Sequence, residues 1–311
     1  MSNVASYAAG HLAALSFAQK IERHPEPDRH PIGDNRGRFL PRDDKPASAA
    51  TRPFKEPPGP TPESLAQAEN VLRAFNTWAF KREQPSDPQL MLQFVAEAVA
   101  AKQAIPFVLY WGKGPRHETG PYEAQCLDFL AALASRVTKA YAPGAAIKLI
   151  LTDTHAELNG HCRDHIKQYF DDVAAIAAQR GFQTCWLGHL VKAAGALATA
   201  APIEEAVSPE MLSRLMTSAE KWYHGGGTAQ EGALTYLRMN LIEQRVVERT
   251  FPRAIFVTFN GSELRGLFPR QLPIFYMYSL RRGVAVKPWF LPCQATAGDS
   301  SGEQANAPRP N

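Results

Sequence analysis

The stretch LTDTHAELNGHCRDH, residues 151–165, follows an apolar run and gathers Asp153, His155, His161 and His165 within a few turns of chain. Two chemistries suit that set. An imidazole near a carboxylate can take and return protons close to neutral pH, which would make Asp153 and His155 an acid/base pair. His161 and His165 stand four apart, so on a helix they share one face. With Asp153 or His155 they could ligate a metal, and Cys162 lies close by. Against both stands a plainer arrangement, in which Asp153 or Asn159 caps the next helix and the two later histidines face water. Asp153 and His155 are the stronger candidates, because H-x-x-x-H without a glutamate beside its first histidine is a weak metal signature.

Three further groups carry charge in places that chemistry could use. GKGPRHETGP, residues 112–121, sets Lys113, Arg116 and His117 among glycines and prolines. Glycines let a backbone approach a ligand closely and cations suit an anion such as phosphate, although a solvated loop would look the same. No Walker A pattern is present, since Ser or Thr does not follow the lysine. His117 joins Asp153 and His155 as a candidate proton carrier. SLRRGVAVKPWF puts Arg281, Arg282 and Lys287 directly after an apolar strand. Three cations so close either point to solvent or meet an acidic ligand, and strand alternation keeps Arg281 and Arg282 from facing one way. In TFNGSELRG, Asn260 and Glu263 follow a strand, where Glu263 could grip an amine or simply begin a helical turn.

The elements that must position these groups follow a βα alternation. Thr61-Pro62 and Asp87-Pro88 are helix starts ahead of apolar residues at helical spacing. PFVLYWG then predicts a strand ending in glycine, EAQCLDFLAALASRVTKAY a helix, IKLILT a buried strand, CRDHIKQYFDDVAAIAAQRG a helix stopped by Gly181, and FQTCWL a third strand. Two helices near 208–223 and 228–249 precede the strands AIFVTFN and PIFYMYSL, with VAVKPWF a further strand candidate. The apolar run of PIFYMYSL predicts an interior strand. The expected fold class is therefore α/β, a mostly parallel Rossmann-like sheet flanked by helices with a Pro-rich N-terminal arm. The loops after Trp111 and Leu151 leave strand C-terminal ends, where a doubly wound sheet keeps its ligand crevice. Both loops are thus expected to line one pocket.

Residues 22–60 are crowded with proline and charge, so 1–60 is expected to be a flexible segment, 61–292 one α/β catalytic domain and 293–311 a disordered tail. With 34 basic and 30 acidic residues in 311, the net charge of +4 leaves no nucleic-acid footprint. The cysteines, Cys126, Cys162, Cys185 and Cys293, form no CxxC pair and fit reduced thiols. No apolar stretch approaches the roughly 20 residues of a membrane span, and the N-terminus lacks a signal-peptide pattern. A cytoplasmic location is expected, without a nucleic-acid or membrane partner. Oligomeric state is not written in the sequence.

Taken in order, these landmarks resemble the pyoverdine/dityrosine biosynthesis family, whose bacterial members are amino-acid isonitrile (isocyanide) synthases. GKGPRHETGPYEAQCLDFL is similar to that family's lysine, proline and glycine loop before a helix, YAPGAAIKLILTD to its Y-x-P-G-A and strand ending in aspartate, and AIFVTFN with KPWF to its later strand and T-P-W-H end. The chain departs from the family in a shorter loop, in Thr154 and His155 after the strand, in Asn260 where a histidine is usual, and in Phe290 in place of the last histidine. The resemblance implies a metal-independent enzyme of natural product biosynthesis with no cofactor. Such an enzyme condenses the amine of an amino acid, or a related amine, with the ketone of ribulose 5-phosphate and leaves one sugar carbon on nitrogen. Lys113 and Arg116 would then hold phosphate, Asp153 and His155 would move protons, and Arg282 or Lys287 would meet a carboxylate or phosphate. The alternative is a metal-dependent hydrolase or oxygenase built on Asp153, His155 and His161.

Overall fold

Helix α1 (Pro62–Phe75) starts where Thr61 accepts a hydrogen bond from the Ser64 N–H at 3.2 Å, and α2 (Pro88–Ala100) where Asp87 accepts from the Leu90 N–H at 2.9 Å. In each a proline opens the first turn, where its missing N–H would have had no helical partner. The structure, a computed structural model, describes residues 60–112, 119–195 and 208–278, with the backbone alone of 280–281 and 284–285. All of them belong to the unit that begins at Gly59. Residue 60 apart, the expected N-terminal arm and C-terminal tail lie outside the described residues.

The chain then alternates β1 (Ile105–Trp111), α3 (Pro121–Ala140), β2 (Ala145–Leu151), a short α4 (Asp153–Leu158), α5 (Arg163–Ala178), β3 (Gln183–Trp186) and α6 (Leu187–Ala194). After α7 (Pro209–Trp222) and α8 (Ala229–Thr250) come β4 (Ile255–Thr258), a 3-10 turn over Ser262–Leu267, and β5 (Ile274–Tyr276). A two-residue antiparallel pair, β6 (Leu280–Arg281) and β7 (Val284–Ala285), follows. Strands β1 to β5 form one sheet in the order β3-β2-β1-β4-β5, every pairing parallel. This is the expected α/β class, and the two long helices of the second half fall where the sequence puts them. Among the described residues no helix is long and apolar enough to cross a membrane.

Side-chain alternation sorts the helices to two faces. Phe107, Leu109 and Trp111 of β1 point into a core with α1, α3 and α5, whereas Val108 and Tyr110 point to the other face, where α6 and α8 supply Leu187 and Val247. Because β1 to β3 step outward in one direction and β4 and β5 in the other, the order reverses between β1 and β4. Crevices in doubly wound sheets open at such a reversal, beyond the strand C-termini.

One expectation is corrected. PIFYMYSL supplies the last strand of the sheet and not an interior one. Residues 273–277 are nevertheless buried, with Phe275 and Met277 at 0% exposure. Residues 80–86 cover the outer edge of the strand. The Arg82 N–H donates to Tyr276 O at 2.8 Å, the Tyr278 N–H to Phe80 O at 3.1 Å, and the Ser86 N–H to Ile274 O at 3.0 Å. The Ile274 N–H in turn donates to Ser86 Oγ at 2.9 Å. An apolar run reports burial of both faces, and says nothing about what pairs with the edge.

Candidate active site

At the C-terminal edge of the sheet, Thr152 ties β2 to β1 by donating its hydroxyl to Trp111 O at 3.0 Å. The chain turns at once into α4, whose first turn sends His155 inward to 2% exposure. There its Nε2 lies 2.6 Å from Oε2 of Glu243, itself 2% exposed. Thr154 donates its hydroxyl to the other oxygen of the same carboxylate at 2.9 Å. Glu243 comes from the middle of α8, so one carboxylate grips two residues of a helix that starts 90 positions earlier in the chain.

Aromatic rings close the surroundings of His155. Tyr236, two turns before Glu243 on α8, meets the imidazole edge to face with ring centroids 5.1 Å apart. Tyr110 of β1 meets it at 6.1 Å and rests on Phe256 of β4 at 5.1 Å. The Tyr110 hydroxyl and His155 Nδ1 are buried, and neither has a hydrogen-bond partner among the described residues. Burial, and then the Glu243 carboxylate and Tyr236, hold the Tyr110 phenol well above its ordinary pKa, so it keeps its proton. The site therefore sets a buried imidazole between a carboxylate and a protonated phenol, over the ends of β1 and β2. Such a group can exchange a proton with whatever reaches Nδ1.

Asp153 turns elsewhere. It accepts the Gly188 N–H of α6 at 2.8 Å, and a Cβ at Gly188 would stand 2.6 Å from Asp153 Oδ2, so the close approach depends on that glycine. Burial pushes the Asp153 carboxyl upward in pKa, opposed by the N–H groups of Gly188 and Thr154 and by His189. The carboxylate that orients His155 is thus Glu243, and the expected Asp153–His155 pair does not form. Asn159 occupies the C-cap of α4, where its N–H reaches His155 O at 3.1 Å, and does not cap the start of the next helix.

His161 and His165 come together with ring centroids 6.4 Å apart. They do not join Asp153 and His155 in a ligand set: among the described residues no group of three or more His, Cys, Asp or Glu is arranged to hold a metal. Burial, then His165 and His224, lower the His161 pKa below its ordinary 6.5. A folded-state pKa below the unfolded one means that the unfolded chain binds the proton first, so this residue's contribution to stability falls as pH drops below about 6.5. Urea midpoints measured from pH 7 to 5 should fall less steeply in His161→Gln than in the parent; equal slopes would remove His161 from the acid response.

Asn260 begins the turn after β4, half-buried, with its N–H donating to Thr258 Oγ1 at 3.1 Å. Glu263 lies in the 3-10 turn opposite Arg82, at 3.7 Å between charged atoms. Lys113, Arg116, His117, Arg282 and Lys287 lie outside the described residues, and of Arg281 in β6 only the backbone is described. Glu243, Tyr110 and Tyr236 were not anticipated. Glu243 carried a readable signal, because it stands three residues after Asn240 and four before Val247, on the buried stripe of α8.

No family model matches the chain, and no curated protein matches it. Among solved structures it is similar to the PvcA protein of Pseudomonas aeruginosa, with a TM-score of 0.53 and 21% identity over 68% of this chain and 83% of that one. Weaker likenesses are to tyrosyl-tRNA synthetase of Archaeoglobus fulgidus, TM-score 0.43 and 12% identity over 69% of this chain and 65% of that one. The tyrosyl-tRNA synthetase of Aeropyrum pernix stands at TM-score 0.38 and 11% identity, over 68% and 61%. The chain shares the fold of PvcA, at a distance that leaves its chemistry to its own residues.

Proposed function

We propose that this chain is an isonitrile-synthase-like enzyme that joins an amino acid or related amine to a sugar phosphate such as ribulose 5-phosphate. The observation that carries the reading is His155, buried beside a protonated Tyr110 and held by Glu243 at the C-terminal edge of the sheet. Support comes also from the motif order of residues 105–290, which resembles the isonitrile-synthase family, and from the fold shared with the PvcA protein of Pseudomonas aeruginosa. Condensing an amine with a ketone expels water and requires protons to be moved on nitrogen and oxygen, and breaking the sugar chain requires a hydroxyl to lose its proton. His155 takes these protons in the proposed reaction, and Tyr110 returns one. Lys113 and Arg116 hold the phosphate, and Arg282 or Lys287 meets the carboxylate of the amino acid.

Incubating the purified protein with pooled amino acids and ribulose 5-phosphate, and following the products by mass spectrometry, tests the reading. An amine that gains one carbon is the expected result. Stoichiometric zinc or iron that is lost in Asp153→Ala, with no one-carbon product from any amine, would overturn it in favour of a metal-dependent enzyme.

A further inference from the structure

Glu243 touches both Thr154 and His155, and the two contacts together fix more than position. We infer that Glu243 is a positioning residue that holds His155 as the Nε2–H tautomer, with Thr154 setting the orientation of the carboxylate, so that Nδ1 is left as a base. The step rests on the proposed function in one respect only, namely that His155 moves protons in the reaction.

A carboxylate only accepts, so the nitrogen 2.6 Å from Oε2 must bring the hydrogen. Thr154 spends its hydroxyl hydrogen on Oε1 at 2.9 Å. With both oxygens of Glu243 engaged and both side chains buried, the imidazole is shut off from the bulk solvent through which it would trade hydrogens between its nitrogens. A neutral imidazole has one N–H, and with that hydrogen on Nε2 the lone pair lies on Nδ1, which is buried without a partner among the described residues. Leaving a buried acceptor unmatched costs stability, which a purely structural histidine would have no reason to carry. The Tyr110 ring lies with its centroid 6.1 Å from the imidazole, its hydroxyl equally unmatched among the described residues and its proton retained by burial. One ring offers a lone pair and its neighbour a hydrogen, the complement required by a base and an acid working in turn.

Glu243→Gln separates this role from simple support. Thr154 still donates to the side-chain carbonyl, which leaves the amide NH2 facing His155. An NH2 group cannot accept, so Nε2 must become the acceptor and the hydrogen must move to Nδ1. Removing the Thr154 hydroxyl as well, in Thr154→Val with Glu243→Gln, frees the amide to turn its carbonyl to His155 and restores the Nε2–H form.

Nitrogen-15 NMR of histidine-labelled protein reads the tautomer directly, with the His155 signals assigned by their loss in His155→Gln. The expected result is Nε2–H in the parent, Nδ1–H in Glu243→Gln, and Nε2–H again in the double variant. In parallel, kcat for the one-carbon product should drop by about 10²-fold or more in Glu243→Gln with KM little changed, and recover in part in the double variant. An Nδ1–H parent overturns the inference, and that measurement needs no turnover and no variant beyond the His155→Gln used for assignment. A tautomer unchanged in Glu243→Gln overturns it as well. If the tautomers move as stated while no amine gains a carbon, the proposed reaction falls and the positioning role stands.

Discussion

Replacing His155 by Gln is expected to abolish turnover while leaving the protein folded. The glutamine amide nitrogen can take the place of Nε2 and still donate to Glu243, so the buried carboxylate keeps its partner. What disappears is Nδ1, the atom that would take the substrate proton. Loss of a general base lowers kcat by roughly 10²–10⁴-fold. The stability cost should be small, about 1–2 kcal/mol for the edge-to-face contacts with Tyr236 and Tyr110, or a few degrees in Tm. His155→Ala makes the contrast: with no donor opposite it Glu243 becomes a buried charge paired to Thr154 alone, at about 3–5 kcal/mol. Turnover of His155→Gln within tenfold of the parent, in a protein with an unchanged circular dichroism spectrum, would remove His155 from the reaction.

Why the histidine was legible and its partner was not follows from helix geometry. Asp153 and His155 are two residues apart, which in a loop or strand would let both face one pocket. The chain instead forms α4 from Asp153 onward, and positions i and i+2 of a helix point to widely different sides. Asp153 consequently meets Gly188 while His155 meets Glu243. A partner 88 residues away is set by which helix crosses the back of the sheet, and no local pattern encodes that. Its trace was compositional, a glutamate on an apolar stripe that a helix can bury only if something pairs with it. The elements themselves were easier to read. Their signals are local: Thr61-Pro62 and Asp87-Pro88 at helix starts, Gly181 at a helix end with φ of 73°, and largely apolar runs in β1, β2 and β4, interrupted in β2 by Lys148. For β5 the run revealed burial but not rank in the sheet, because its edge is closed by residues 80–86, a segment with no strand pattern of its own.

That closure leads to the second large effect, which is expected for Phe275→Ala. Phe275 is fully buried in β5, its ring 5.4 Å from Phe75 of α1, which in turn packs 5.4 Å from Phe107 of β1. The three rings stack from the last strand through a covering helix to the central strand, each pair near edge to face at 71° and 85°. Truncation at Phe275 removes one end of that chain and leaves a cavity that neighbours on three elements would have to fill together. Large-to-small changes of this kind cost about 3–5 kcal/mol, a third or more of the stability of an ordinary domain. The backbone of β5 is bonded on both sides, to β4 and to residues 80–86, so it is not free to collapse inward and recover the loss. Urea unfolding should therefore show a lower midpoint with an unchanged slope, and Phe275→Leu, which keeps most of the volume, should lose under about 1.5 kcal/mol. If Phe275→Ala loses less than about 1 kcal/mol, the terminal strand is yielding as an exposed edge would, and the 80–86 segment does not hold it as the hydrogen bonds indicate.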